Sequence, residues 1–209
     1  MALAAPWYVH PVRRAHWEWL RGADIGIAVL NVQDGPGDQI EPSYQDAVSG
    51  SFRPRVLGYV DTAYGRRSVR EVFRDAERWR EWYGVSGIFL DQVPTSALCG
   101  HWRIGWVREL RREGFSFVAA NCGTAPEDVV LETADLTCVC EADWHSYQMF
   151  PPPERLLSHP PERQWHLVHS VPAWAPLDLK AQARARGASW TWATRGVLPN
   201  PWSVGWEGQ

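Results

Sequence analysis

The chain repeats a short apolar run, a polar turn rich in Gly or Pro, and a helix-like stretch eight times over its 209 residues. Strands that alternate regularly with helices favour a parallel sheet. Eight such units predict an α/β fold over residues 1–209, a small single-domain (β/α)8 TIM-type barrel. The predicted strands are Trp7–Val9, Ile25–Leu30, Arg55–Val60, Gly87–Leu90, Ser116–Ala120, Leu136–Cys140, Trp165–His169 and Ser189–Ala193.

An open doubly wound sheet is the alternative to the barrel. Such a sheet commonly binds nucleotides through a G-x-G-x-x-G or P-loop turn after an early strand, and no early strand of this chain is followed by either pattern. The barrel is therefore preferred.

The clearest helix is predicted at Ser68–Tyr83. Ser68 can cap its first turn, Glu71 three residues later completes a capping box, and Gly84 ends the apolar periodicity. Further helices are predicted at Trp102–Glu113, Leu179–Arg186, His16–Leu20, Ser43–Val48, Glu127–Thr133 and Glu154–Leu157.

Composition excludes several classes of protein. A net charge of −3 argues against a protein that binds the nucleic-acid backbone, which needs a basic face. The longest apolar run, Ile25–Val32, falls well short of the roughly 20 residues of a membrane helix. The cysteines lack paired C-x-x-C spacing and no histidine pair has metal-ligand spacing, so we expect free buried thiols, no metal and no cofactor. The cysteines are Cys99, Cys122, Cys138 and Cys140.

Polar, acidic and aromatic residues follow the predicted strands, whereas the strands themselves are apolar. Functional residues of a parallel barrel gather at the carboxyl ends of its strands, so these residues are the candidate site. They are Tyr8, His10, Asn31, Asp61, Tyr64, Asp91, Gln92, Asn121, Glu141, His169, Trp192 and Thr194.

Asp91 and Glu141 each end a strand after several apolar residues. A carboxylate in such surroundings is costly unless it is paired or used. Two of them at one end of a barrel suit a general acid together with a nucleophile or base. The alternative is that each carboxylate only caps a loop or a helix. For Asp61, a cap and a hydrogen bond to substrate are equally good interpretations.

Histidines and tryptophans near the strand ends complete the candidate site. His145 and His169 can orient a carboxylate or contact a ligand, although a lone histidine is often structural. The chain contains 14 tryptophans, and the flat face of this side chain stacks on sugar-like ligands. Trp144 and Trp192 lie beside strand ends, where stacking on a ligand is possible.

Two long blocks are similar to a known family. Residues 56–65 read VLGYVDTAYG and residues 82–91 read WYGVSGIFLD, which resemble the LGYVDTxYG and WYGVDGIFLDE blocks of the spherulin-4-like family (spherulation-specific family 4). Shorter turns at residues 31–37, 121–124 and 200–202 also match family patterns, so the resemblance covers essentially the whole chain.

The resemblance implies a (β/α)8 barrel related to fungal glycoside hydrolases that cut galactosaminogalactan, a polymer of galactose and N-acetylgalactosamine. It places catalytic acids at an Asp-Glu pair that ends the fourth strand and at a Glu that ends the sixth. Asp91 and Glu141 match this pattern, whereas Gln92 replaces the family's Glu and cannot titrate. Residues 91 and 92 also face opposite sides of a regular strand, so a strand end or bulge is needed for them to share a site.

The first hypothesis is a glycoside hydrolase that acts on an amino-sugar-containing glycan through Asp91 and Glu141. The residues predicted to hold the sugar are Gln92, Asp61, Tyr64, Tyr8, Asn31, Asn121, Trp144, His145, His169 and Trp192. Residues 1–6 show neither the positive region nor the apolar region of a leader, so we expect a cytoplasmic protein, although the family is typically secreted. The alternatives are an intracellular small-molecule enzyme, such as a cyclase or isomerase, and a non-catalytic carbohydrate-binding barrel. The sequence does not specify the oligomeric state.

Overall fold

The computed structural model describes residues 2–50, 52–96 and 105–208, and its eight parallel strands close into a barrel in the order β1 to β8. Each strand pairs with the next along the chain, and β8 pairs with β1. The predicted (β/α)8 barrel is thereby confirmed. The strands are β1 Ala2–Trp7, β2 Ile25–Leu30, β3 Arg55–Asp61, β4 Gly87–Asp91, β5 Phe117–Asn121, β6 Leu136–Asp143, β7 Gln164–His169 and β8 Trp190–Ala193.

Helices connect successive strands, and short 3-10 turns lie at residues 63–65, 161–163, 201–203 and 205–208. The carboxyl ends of the strands form one end of the barrel, called the mouth below. The helices are α1 Arg14–Gly22, α2 Pro42–Val48, α3 Val69–Tyr83, α4 Gly105–Arg112, α5 Asp128–Thr133, α6 Trp144–Gln148, α7 Glu154–Leu157 and α8 Lys180–Ala185.

The two ends of α3 lie where the capping residues predict them. Ser68 and Glu71 form the predicted capping box, and Gly84 ends the helix in the left-handed conformation with φ 68°. α8 is one residue shorter at each end than predicted. The first three residues of the predicted Trp102–Glu113 helix, and Cys99, lie outside the described residues. Within those residues, no helix is long and apolar enough to cross a membrane.

The prediction for the first strand is wrong: β1 ends at Trp7 instead of beginning there. Alanines have low strand propensity, which concealed this strand in the sequence. Pairing overrides propensity here because Leu3 lies opposite both Ile25 of β2 and Thr191 of β8. The sequence also gave no sign of α6, which begins where the Asp143 carboxylate accepts the backbone N–H groups of two residues in its first turn.

Packing of α3 on the barrel fixes the end of β3. Trp79 is fully buried, and its ring occupies the space where a side chain of Gly58 would stand, 2.3 Å from the position of a β carbon. The Trp79 indole nitrogen also donates to the carbonyl oxygen of Tyr59 at 2.8 Å. Because Tyr59 reaches into the mouth, this contact links core packing to the candidate site.

Candidate functional site

Three adjacent cavities of about 740, 300 and 540 Å³ lie at the mouth, and Glu141 lines all three. The largest is also lined by Tyr64, Asp91, Gln92 and Asn121. Sizes of this kind are typical of small-ligand sites. The central cavity is lined by residues that include Tyr8, Asn31, Tyr59 and Trp202, and the third by residues that include Asp143, Ser146, His169 and Ser170.

A β-bulge in β6 turns Glu141 toward the cavities. Cys138 lies opposite Trp165 and Glu141 lies opposite Leu167, so three steps along β6 match two steps along β7. Trp165 and Leu167 share one face of their strand because they are two residues apart. Glu141 therefore shares the face of Cys138, whereas a regular strand would direct it to the other face.

One amide nitrogen joins the two candidate carboxylates. Nδ2 of Asn121 donates to Asp91 Oδ1 at 2.7 Å and to Glu141 Oε2 at 2.6 Å. Because both hydrogen bonds start from one atom, the two oxygens are separated by at most the sum of these lengths. The Asn121 Oδ1 atom accepts the backbone N–H of Gly123 at 2.9 Å, which orients the amide. The strand ends of β4, β5 and β6 thus converge on a single polar cluster.

Asp91 is surrounded by hydrogen-bond donors despite its burial. The Tyr59 hydroxyl donates to Oδ2 at 2.8 Å, and the backbone N–H of Gln92 also bonds the carboxylate. Burial raises the pKa of Asp91, and the charge of Asp61 adds to the increase, while the donors from Tyr59, Gln92 and Asn121 oppose it.

Glu141 has fewer donors. Burial raises its pKa, and repulsion by Asp91 raises it further, while hydrogen bonds from Asn121 and from the Trp202 side chain oppose the increase. The pKa of both groups is raised, and they differ in their donors: Asp91 accepts hydrogen bonds from Tyr59, Gln92 and Asn121, whereas Glu141 accepts them from Asn121 and Trp202.

A left-handed backbone at Gln92 lets residues 91 and 92 line the same cavity. Gln92 has φ 52°, and its carbonyl oxygen accepts the Thr62 hydroxyl at 2.7 Å and the Tyr64 N–H at 2.8 Å. β4 ends at Asp91, so the conformation at Gln92 abolishes the strand alternation that would separate the two side chains. Tyr64, with φ 54°, is 57% exposed at the rim of this cavity.

Several other predicted residues lie at the mouth. Tyr8 and Asn31 line the central cavity, and Asn31 Oδ1 accepts the N–H of Gly35 at 2.9 Å. His169 lines the third cavity, its Nδ1 atom lies 2.9 Å from the Ser170 hydroxyl, and burial lowers its pKa. Asp61 accepts the backbone N–H of Ala63 at 2.7 Å, which favours the capping interpretation of this residue.

Six predicted residues do not line the three cavities: His10, Asp61, Trp144, His145, Trp192 and Thr194. Trp192 is 3% exposed in the hydrophobic core, edge-on to Trp7, so its ring does not present a stacking face at the mouth. His145 is exposed on α6, outside the cavities. Trp144 is half-buried at the start of α6, beside the third cavity.

Sequence reasoning missed Tyr59, Asp143 and Trp202 as residues of the mouth. Tyr59 lies within a strand, one residue before the predicted strand end, and Trp202 comes from the chain beyond β8. The LGYVD block that contains Tyr59 was the one available signal. In the described part of the chain, no group of three or more His, Cys, Asp or Glu residues could hold a metal ion.

The fold and the site together define a small (β/α)8 barrel that places a half-buried carboxylate pair in the cavities of its mouth. A model of spherulation-specific family 4 matches residues 2–207, so the chain belongs to this family, and the resemblance stated above is confirmed. Spherulin-4 of Physarum polycephalum is 35% identical over 104 residues, which cover 46% of this chain and 30% of that relative. The match thus spans less than a third of the relative's length.

A solved structure shares the fold over almost its full length. Aspergillus clavatus Sph3, crystallised in complex with GalNAc, matches with a TM-score of 0.77 and 24% identity. The alignment covers 98% of this chain and 92% of that chain. This similarity supports the barrel independently of the strand pairing.

Proposed function

We propose that the protein hydrolyses a glycan containing N-acetylgalactosamine, with Asp91 as nucleophile and Glu141 as acid and base. The observation that carries the proposal is the pair of half-buried carboxylates joined by Asn121. The ligand class is suggested by the Aspergillus relative, whose crystal contains GalNAc.

The separation of the carboxylates supports hydrolysis with retention of configuration. Their bridged oxygens are at most the sum of 2.7 and 2.6 Å apart. Retaining glycosidases hold their carboxyl groups about 5–5.5 Å apart, whereas inverting enzymes need about 6.5–9.5 Å to admit a water molecule. The shorter spacing leaves the second carboxylate close enough to attack the sugar itself.

The hydrogen bonds support the division of roles. Burial raises the pKa of both groups, but Asp91 has more donors to stabilise the ionised form that a nucleophile requires, while the raised pKa of Glu141 favours a protonated acid. Asp91 attacks the anomeric carbon as the glycosidic bond breaks, and Glu141 protonates the leaving oxygen. Glu141 then accepts a proton from water, the water oxygen bonds to the anomeric carbon, and Asp91 leaves as a carboxylate. In this scheme Gln92 holds the sugar by hydrogen bonds and no titrating group is needed at position 92.

The test is product analysis with α-1,4-linked N-acetylgalactosamine oligosaccharides. Mass spectrometry detects shorter products, and proton NMR at early times identifies the anomer formed first. We expect the wild type to release α-anomers and Asp91→Asn and Glu141→Gln to release no detectable product. Glu154→Gln, an exposed change on α7, is the matched control and retains full activity. Intact oligosaccharides with folded wild-type protein would contradict hydrolysis of this substrate, and β-anomers would contradict the assigned mechanism.

A further inference from the structure

An exposed tryptophan lies at the same end of the barrel as the carboxylate pair. Trp174 is 80% exposed and belongs to the segment that follows β7. Its ring lies edge-on to Trp144, with centroids 6.1 Å apart and planes at 86°. Exposing an indole of this size loses the hydrophobic gain of burying it, so folding alone does not explain the position.

The segment that carries Trp174 is firmly held. The Arg195 guanidinium donates to the carbonyl oxygens of Val171, Pro172 and Ala175 at 3.4, 2.5 and 3.4 Å. Val171 and Ala175 are 3% and 2% exposed, so the chain is anchored in the core on both sides of the tryptophan. The exposed ring is therefore presented on a fixed backbone, which lowers the entropy cost of binding a ligand against it.

The third cavity adjoins the carboxylate pair and the segment that supports this ring. Glu141 and Asp143 both line the cavity, and Asp143 directly precedes Trp144, the ring that Trp174 contacts. The polar groups of the cavity are Asp143, Ser146, His169 and Ser170, and Val197 and Leu198 supply apolar surface. A sugar offers the same combination of hydroxyl groups and apolar C–H surface. In galacto-configured sugars the axial 4-hydroxyl leaves one continuous C–H face that packs flat on an aromatic ring.

We propose that Trp174, supported by Trp144, is a distal sugar-binding subsite that holds the glycan beyond the third cavity. The glycan then passes from the cavity of Tyr64 and Gln92, across Glu141, to His169 and out over Trp174. This inference rests on the proposed function for its ligand. It assigns the glycan a path through the mouth, and it predicts a preference for long chains, because only a chain that extends past the third cavity contacts Trp174.

The test measures binding with Glu141→Gln protein, so that hydrolysis does not consume the ligand. Isothermal titration compares an N-acetylgalactosamine octasaccharide with the disaccharide, with and without Trp174→Ala. We expect Trp174→Ala to weaken octasaccharide binding about five- to tenfold and to leave disaccharide binding unchanged. Trp206→Ala removes another exposed tryptophan, 41% exposed beside His16, and leaves both affinities unchanged.

Three results would overturn the subsite: unchanged octasaccharide affinity in Trp174→Ala, an equal loss for both ligands, or no octasaccharide binding by the parent protein. Light scattering on the same samples tests the alternative that Trp174 contacts a second copy of the chain. A dimer that dissociates in Trp174→Ala without loss of octasaccharide affinity would assign the ring to contact between copies and overturn the proposal. Failure of the proposed hydrolysis is distinct, because it leaves wild-type protein inactive while Trp174-dependent binding persists.

Discussion

Replacing Tyr59 with phenylalanine removes one hydrogen bond from the proposed nucleophile and keeps the ring in place. The Tyr59 hydroxyl donates to Asp91 Oδ2 at 2.8 Å, and this bond lowers the pKa of Asp91 against the effect of burial. A hydrogen bond to a charged group contributes about 1.5–3 kcal/mol, and about 1.36 kcal/mol corresponds to one pKa unit. We therefore expect Tyr59→Phe to raise the pKa of Asp91 by about one to two units.

The assay is the pH dependence of kcat/KM with an N-acetylgalactosamine oligosaccharide. Attack requires ionised Asp91, so activity falls as the pH drops through its pKa, and in Tyr59→Phe this acid limb moves to higher pH by the same one to two units. Tyr147→Phe is the matched control because its hydroxyl, 3.1 Å from His166 Nδ1, is buried away from the mouth. An unshifted acid limb in folded Tyr59→Phe would refute the argument that this hydroxyl stabilises ionised Asp91.

Three further changes test the site and its support. The pKa of Glu141 is raised in the folded chain, so ionisation of this group lowers the stability of the fold as the pH rises through that pKa. Glu141→Gln should therefore raise the free energy of unfolding by about 1 kcal/mol at pH 7, and this gain should vanish in acid. Urea titrations at several pH values measure both effects. Gly58→Ala places a methyl group against the Trp79 ring and should lower the free energy of unfolding by about 1–3 kcal/mol in the same assay, whereas unchanged stability would mean that α3 shifts freely. Gln92→Glu adds a like charge beside Asp91 and should move the acid limb of kcat/KM to higher pH; an identical profile would show that the new carboxylate points away from Asp91.

The sequence predicted elements wherever local pattern and burial agree. Ile25–Leu30 is a strand with the predicted bounds because its apolar run is buried along nearly its whole length. The capping box of Ser68 was equally readable because both of its partners lie within one turn. β1 was misplaced because its alanines form a strand only through partners far along the chain.

The candidate site was predictable as a set of residues and not as a geometry. Asp91 and Asn121 end their strands and Glu141 lies two residues before the end of β6, and the sequence pattern reveals each as a polar residue after an apolar run. Their convergence depends on the bulge in β6, and a bulge is a difference in register between two strands that neither strand's own pattern records. The shared nitrogen of Asn121 likewise depends on three strand ends reaching the same height in the barrel.

The backbone at the two ends of the barrel shows where side chains are retained at a cost. Five described residues other than glycine have left-handed φ angles, a conformation that costs about 1–3 kcal/mol each, and all five follow strands at the mouth: Asp34, Ala63, Tyr64, Gln92 and Ser170. The mouth also has left-handed glycines, at Gly35, Gly37, Gly65 and Gly123, whereas the described turns from helices back into strands have glycine at every left-handed position: Gly50, Gly84, Gly114 and Gly187. Tyr64, Gln92 and Ser170 line the two cavities on either side of the central one. Glycine at these three positions would relieve the backbone strain, but it would also remove the side chains that face a ligand. A mouth that binds a ligand would need to keep these side chains despite the strain, whereas a purely structural barrel end would not.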